Sequence, residues 1–401
     1  MTVPRLRFSE FRDSGEWVEK SINDVCKTFS GGTPSTSEKG FYGGNISFIR
    51  SAEIDKSQTE LFLTNEGLAN SSAKLVKKGD VLVALYGANS GDVALAKLDG
   101  AINQAILCLK SDNSNQFIYQ YLCLKEDWIV STYIQGGQGN LSGEIIKSLR
   151  LGFPTKLEQQ KIADCLSSLD ELITAQTRKL DTLKTHKKGL MQQLFPVEGE
   201  TLPRLRFPEF RDAGKWKEKR LIDICDINPS NEHLPQSFIY IDLESVVAGK
   251  LLYKKKIELQ DAPSRAQRLL KNGDIIYQIV RPYQRNNFFC DFDDENHYVA
   301  STGYAQLRSF GESKFLYQLI HADTFVNKVI AKCTGSNYPA INSSDLAEIN
   351  VATPKLPEQQ KIADCLSSLD ELITAQTQKL DTLQVHKKGL MQQLFPSIKE
   401  L

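Results

Sequence analysis

The chain has 401 residues, 41% hydrophobic and 24% charged, with 49 basic residues balancing 49 acidic ones. That length predicts two to three domains, each able to bury its own core. No apolar run reaches the ~18 residues of a membrane span, and the N-terminal MTVPRLRFSEFRD is charged throughout, without a signal-peptide core, so a cytoplasmic protein is expected.

Zero net charge counts against an overall basic nucleic-acid binder, although a local basic face can be offset by acidic residues elsewhere. The eight cysteines are scattered without a CxxC pair, and several sit among apolar residues. They read as small buried hydrophobes in a reducing compartment, with neither zinc nor disulfides.

In chain order, Pro4–Cys26 (PRLRFSEFRDSGEWVEKSINDVC) reads as an extended arm anchored by Trp17. Residues 27–153 follow as a variable region with strand candidates at Ile46–Arg50, Val93–Leu98 and Ala105–Leu109. A turn at Lys78-Gly79-Asp80 enters the apolar Val81-Leu82-Val83, a turn-to-strand signal. A helical pattern covers Gln116–Ile129, and a glycine-bearing loop, a short apolar stretch and Pro154 close the region.

Residues 158–196 then read EQQKIADCLSSLDELITAQTRKLDTLKTHKKGLMQQLFP. The apolar row Ile162, Leu166, Leu169, Ile173, Leu180, Leu183, Leu190 and Leu194 alternates steps of four and three, the seam of a coiled coil. Gln176 and Lys187 interrupt it, which costs stability but fixes register. From Glu158 to Phe195 the helix spans roughly 57 Å at ~1.5 Å per residue, and Pro196 ends it.

After a short linker, 197–202, the plan returns. Pro203–Cys225 repeats the arm, with Trp216 for Trp17. The variable region 226–353 carries strand candidates Phe238–Ile241 and Ala305–Leu307, the turn Asn272-Gly273-Asp274 before Ile275-Ile276-Tyr277, and a helical pattern over Lys314–Ile330. Residues 358–396 repeat the long helix apart from Arg178→Gln378, Lys184→Gln384 and Thr185→Val385. The seam recurs as Ile362, Leu366, Leu369, Ile373, Leu380, Leu383, Leu390 and Leu394, with Gln376 and Lys387 again interrupting. So regular an offset is an internal duplication.

The expected fold is therefore α+β: two similar domains of one fold and unlike surfaces, and two long helices forming an antiparallel coiled coil, pseudo-twofold overall. A lone amphipathic helix packed on a globular core is the plainer alternative for each helix. The segments are 1–155, the helix 156–196, the linker 197–202, 203–355, and the helix with tail 356–401. Variable domains on identical mounts suggest two different ligands at a fixed separation, as two DNA half-sites would be.

PRLRFPEF near the start of a half, a KxGD turn before an apolar strand, and LPEQQKIADCLSSLDELI opening a long helix together resemble the specificity subunit of type I restriction–modification systems. The resemblance covers essentially the whole chain; Leu157 replaces the proline (Pro357) at one helix start, where proline is helpful but optional. It implies two target-recognition domains, each reading half of a bipartite double-stranded DNA sequence, spaced by the coiled coil. It also implies a subunit without a catalytic site that recruits two adenine methyltransferase subunits and restriction/translocase subunits. S-adenosylmethionine, ATP and Mg are then expected on those partners and none on this chain.

The residues agree. No DPPY-like tetrapeptide is present, Asn228-Pro229-Ser230 being the nearest approach; Gly137-Gln138-Gly139 starts a GxGxxG that Ser142 breaks, and no GxxxxGK[ST] loop occurs. The five histidines are dispersed. A tandem adaptor that binds proteins, or a self-contained nuclease or methylase, are the alternatives.

For DNA contact, Arg and Lys suit guanine, Asn and Gln suit adenine, and hydroxyls and lysines suit the backbone. In the first domain the candidates are Thr33, Ser35, Thr36, Lys74, Tyr86, Asn89, Ser90, Asn103, Gln104, Gln138 and Asn140, with Lys77 and Lys78 as further phosphate contacts. In the second they are Arg265, Arg268, Arg281, Tyr283, Arg285, Asn286, Ser336, Asn337 and Tyr338. Solvated loops or plain turn chemistry would look the same in sequence.

Overall fold

The computed structural model describes residues 3–133, 140–231, 233–335 and 338–397. The chain divides into two compact units, Met1–Thr177 with Gln378–Leu401, and Arg178–Thr377. Among the described residues no helix is long and apolar enough to cross a membrane.

The first unit contains β1 (Val18–Ser21), α1 (Ile22–Val25), β2 (Cys26–Ser30), β3 (Tyr42–Ile49), β4 (Leu61–Leu63), α2 (Asn65–Ala69), β5 (Lys74–Val76), β6 (Val81–Ala84), β7 (Val93–Leu95), β8 (Gly100–Ile102), β9 (Ile106–Ser111), α3 (Asn115–Tyr133), α4 (Gly143–Ser148), β10 (Arg150–Phe153) and the first half of α5 (Lys156–Leu194). One sheet runs β2-β9-β6-β7, a second β4-β3-β8-β5, and β1 pairs with β10.

In the second unit β11 (Lys217–Arg220), β12 (Cys225–Ile227), β13 (Ser237–Ile241), β14 (Val246–Val247), β15 (Lys250–Leu251), β16 (Lys255–Glu258), β17 (Ala266–Leu270), β18 (Ile275–Gln278), β19 (Phe288–Phe289), β20 (Tyr298–Ser301), β21 (Tyr304–Ser309), α6 (Ser313–Leu319), α7 (Asp323–Lys332), α8 (Ser343–Ala347) and β22 (Asn350–Thr353) lead into α9 (Leu356–Leu394). Its sheets run β12-β21-β18-β19 and β16-β13-β20-β17, with β11 on β22. The order is that of the first unit strand for strand, including the central parallel pair, β3 with β8 and β13 with β20. Two variable sequences thus build one α+β topology, and only β14–β15 has no counterpart in the first unit's sheets.

The Gly-Asp turns owe their form to two features. Gly79 and Gly273 take positive φ (+91° and +86°), a region open to glycine at little cost. Asp80 and Asp274 accept from the backbone N–H of Lys77 and Lys271, closing the turn. One predicted helix is two: the pattern over Lys314–Ile330 breaks between α6 and α7, where Ala322 has extended backbone (ψ 137°). Phe315, Leu316, Leu319, Ile320, Phe325, Val326 and Val329 are all buried, so apolar spacing continues across a break it cannot report.

Every seam residue of α5 and α9 is buried or half-buried. Within the first unit the start of α5 and the end of α9 share one core: Ile162, Ala163 and Leu166 cluster with Met391, Leu394 and Phe395, and with Phe117 and Tyr121 of α3. The second unit mirrors this with Ile362, Ala363 and Leu366 beside Leu194, Phe195 and Phe315. The two helix segments of each unit are therefore antiparallel, and the same helices also pack on a globular core. The seam lysines are paired: Lys387 Nζ lies 2.5 Å from Asp170 Oδ1, and Lys187 Nζ 2.6 Å from Asp370 Oδ1. Gln120 and Gln318 donate to the same two carboxylates.

The arms lock these ends. Arg7 forms a two-pronged bond to Glu158 (both 2.7 Å) and donates to Gly15 O; Arg206 does the same with Glu358 and Gly214 O. Leu6 N–H donates to Gln393 O, and Leu205 N–H to Gln193 O. Trp17 and Trp216, both buried, pack edge-on against Phe395 and Phe195. The Glu-Gln pair that opens each helix is thereby explained, since Gln159 and Gln359 donate to Pro154 O and Pro354 O.

Candidate nucleic-acid interface

The antiparallel pairing of β2, β9 and β6 puts the end of β2, the start of β9 and the end of β6 at one edge: Ser30 faces Leu107, and Ala84 faces Ile106. Loops far apart in sequence therefore meet there. Gly31 N–H donates to Asn103 O, Leu85 N–H to Ala105 O, and Leu141 N–H to Leu85 O. The parallel β3–β8 pair brings Ile49 O to the N–H of Asn103, and Lys74 at the start of β5 faces Ile102.

Most first-domain candidates lie at this edge. Thr33 donates to Gln104 Oε1 at 2.6 Å, and Ser35 bonds Ser37. Thr33, Ser35, Thr36, Lys74, Tyr86, Gln104 and Asn140 are exposed. The glycines before Thr33 are there for closeness: a Cβ on Gly31 would stand 1.8 Å from Ile102 O, and one on Gly32 2.0 Å from Ser72 Oγ. Three candidates are largely occupied internally. Ser90 joins Leu85 O to Leu141 N–H, Asn89 donates to Asp92, and Asn103 accepts from Ala105 N–H. Lys77 and Lys78 belong to the turn before β6, at the opposite end of that strand, and so leave the candidate set. Gln138 lies outside the described residues.

The same edge recurs in the second unit. Ile279 N–H donates to Gly303 O, Ile341 N–H to Ile279 O, Arg281 N–H to Pro339 O, and Thr302 N–H to Arg265 O. The chemistry differs. Arg281 stacks its guanidinium over Tyr338, 4.3 Å from the ring centre. Its Nε, like that of half-buried Arg268, has no hydrogen-bond partner among the described residues, and burial lowers the Arg268 pKa. Tyr283 and Tyr338 are 51% and 63% exposed.

Arg281 and Arg285 both adopt left-handed backbone (φ 54° and 55°) around Pro282, a conformation that costs a non-glycine residue about 1–2 kcal/mol and needs support. Arg285 provides some of it, bonding His321 O and pairing with Asp323 at 2.8 Å. Asn286 accepts from Ala248 N–H. These two candidates hold the loop's shape. Ser336 and Asn337 lie outside the described residues.

Two residues outside the sequence candidates, Arg50 and Thr302, also lie at these edges. Arg50 sits at the first edge, held by Glu53 and Glu60, which raise its pKa. Thr302 occupies the turn equivalent to Asn103-Gln104, a position visible only once β8–β9 and β20–β21 are known to correspond.

His321, below the second edge, donates from Nδ1 to Tyr317 O (2.7 Å) and receives Asn287 Nδ2 at Nε2 (3.3 Å). The contacts suit the neutral ring, and burial pulls its pKa down to about 4. Burial pushes the thiols of Cys26, Cys108, Cys123 and Cys225 up to about 12. Among the described residues no group of three His, Cys, Asp or Glu side chains is placed to hold a metal. The arrangement offers hydroxyls, amides and guanidiniums on exposed loops, the groups that recognise base edges and phosphates.

The model of the type I restriction modification DNA specificity domain matches the chain twice, over residues 14–185 and 213–385. The MjaVIII specificity subunit of a type I restriction enzyme from Methanocaldococcus jannaschii is 23% identical over 400 residues, covering 95% of this chain and 92% of the relative. The HindI specificity subunit of Haemophilus influenzae is 29% identical over 188 residues, 45% of this chain and 40% of that one. The crystal structure of the type I restriction–modification system S subunit from M. genitalium shares the fold, with a TM-score of 0.65 at 16% identity, over 99% of this chain and 100% of that one. Matched in both repeats and over most of its length, the chain belongs to the family of type I restriction modification DNA specificity domains.

Proposed function

We propose that this chain is the DNA-sequence specificity subunit of a type I restriction–modification complex, itself without catalytic activity. Each variable domain reads one half of a bipartite target with the loops at its sheet edge, and the paired long helices set the spacing between the halves. The observation that carries this reading is the repeated edge: one topology, two loop–loop hydrogen bonds kept in place (Leu85 to Ala105 and Leu141 to Leu85, against Ile279 to Gly303 and Ile341 to Ile279), and unlike side chains.

The repeated arms and near-identical helices then dock two copies of one partner, the methyltransferase subunit, with restriction/translocase subunits joining the assembly. S-adenosylmethionine, ATP and Mg act on those partners, and this chain contributes recognition alone.

A methylated-base map of host DNA with and without the gene tests the proposal. One bipartite adenine motif should vanish with the gene. An unchanged map in cells that express an active methyltransferase partner overturns it.

A further inference from the structure

The second unit holds a cleft of about 1050 Å³ walled by the last turns of α5, the β14–β15 hairpin, the loop at Gln284–Arg285 and the α6–α7 junction. Six cationic side chains line it, Lys184, Lys187, Lys188, Arg204, Lys250 and Arg285, against the carboxylates of Asp323 and Asp370. Lys187 pairs with Asp370 and Arg285 with Asp323. No salt bridge engages Lys184, Lys188, Arg204 or Lys250 among the described residues, and neutral His321 adds no charge. Six cations against two carboxylates thus leave a net positive excess on one concave surface in a chain of zero net charge. Such a concave arrangement concentrates positive potential and attracts a polyanion.

Two features restrict this surface to the second unit. Lys184 is one of the three positions at which the helix copies differ, and glutamine stands at 384. Lys250 rides on the hairpin that the first unit's sheets lack. The corresponding first-unit hollow, beside Arg5 and Pro396, is about 430 Å³, and its Lys125 ammonium is occupied by Pro396 O at 3.2 Å. A partner that docks on both repeats alike requires like groups on both, so the occupant is something the second unit meets alone. The cleft also shares Gln284 and Arg285 with the loop that presents Arg281 and Tyr283, and so lies directly beside it.

We infer that this cleft clamps the phosphate backbone of DNA beside the second half-site, supplying affinity without sequence preference. The inference rests on the reading of the chain as a DNA specificity subunit. Each phosphate neutralised adds about 0.9 to the slope of log affinity against log salt.

The test is fluorescence anisotropy of the full chain, assembled with its methyltransferase partners, on duplex DNA bearing its own motif, across a salt series. For Lys184→Gln/Lys188→Gln/Lys250→Gln the slope should become shallower by about 2–3, and for Lys184→Gln alone by about 1, with the methylated motif unchanged. An unaltered slope in the triple variant, while wild type binds its motif, overturns the clamp and leaves the proposed function standing. Loss of methyltransferase copurification with an unaltered slope assigns the cleft to a protein and also overturns it. Failure of the wild-type complex to bind DNA overturns the proposed function, and the clamp with it.

Discussion

The mounts of the two repeats and their loop edges follow opposite rules. The mounts share their ion pairs: Arg7 with Glu158 and Arg206 with Glu358, all four prongs at 2.7 Å. The edges share backbone hydrogen bonds but not side chains, with Thr33, Gln104 and Asn140 on one and Arg281, Tyr283 and Tyr338 on the other. Near-identity is kept in the arms and the long helices, while the loop edges carry unlike side chains on one backbone plan.

The largest expected effect comes from breaking a mount. Glu158 and Glu358 are buried (0% and 2% exposed), so removing the arginine strands a carboxylate, which costs about 3–5 kcal/mol. Arg7→Ala should be the worse of the pair. Trp216 Nε1 donates to Glu358 Oε1 at 3.2 Å, whereas Trp17 Nε1 has no partner among the described residues. That remaining bond should separate the two variants by about 1 kcal/mol in urea unfolding. Equal losses would show that the tryptophan bond contributes nothing to stability.

These ion pairs also mark what the sequence reveals and what it hides. Heptad spacing and repetition exposed the helices, their seam and the arms. The partners Arg7 and Glu158 stand 151 residues apart, and Arg206 and Glu358 stand 152 apart; the repeated spacing was the one signal that could have joined them. The loop edge was hidden for a similar reason. Residues 31–36, 86–90, 103–104 and 140 meet only because β3 pairs parallel with β8 and β9 lies between β2 and β6, and no local pattern encodes such crossovers. Nor can composition tell Tyr283, exposed, from Arg285, held by Asp323; both are polar-loop residues until the fold is known.

A second contrast lies beneath the edges, where His321 of the second unit has Cys123 as its counterpart. Burial lowers the His321 pKa from 6.5 to about 4, so the fold favours the neutral ring. Its contribution is complete above pH 6.5 and is lost as pH falls from there through about 4, roughly 3 kcal/mol in all. The difference between wild-type and His321→Gln unfolding free energies, followed from pH 7 to 4, should show that decline. A flat difference would mean that the protonated ring finds a new partner and that the units respond alike to acid.

The edges themselves should differ in what they read. On the proposed reading Arg281, stacked on Tyr338, meets a guanine with two parallel bonds, worth about 1–3 kcal/mol of discrimination at one base pair. Arg281→Ala should relax one position of one half-site in the methylation map and leave the other half-site intact. Relaxation of both halves would show that the edges act jointly.

The smallest effect belongs to the exposed helix face. Lys161 reaches Glu10 at 3.0 Å and Lys361 reaches Glu209 at 3.4 Å, each beneath an arm phenylalanine. Exposed pairs of this kind are screened by water and salt, so Lys161→Ala and Lys361→Ala should move the unfolding midpoint by under about 2 °C. Among the described residues the carboxylates of Asp164 and Asp364 bond only Gln160 and Gln360, four residues back on their own helices, so they too add little to the fold. Their repetition without a stabilising role fits a face kept alike for two copies of one partner. If Asp164→Ala and Asp364→Ala leave stability unchanged but weaken capture of the methyltransferase subunit, the mounts are identical because their partner is. If both properties are unchanged, the identity of this face records the duplication alone.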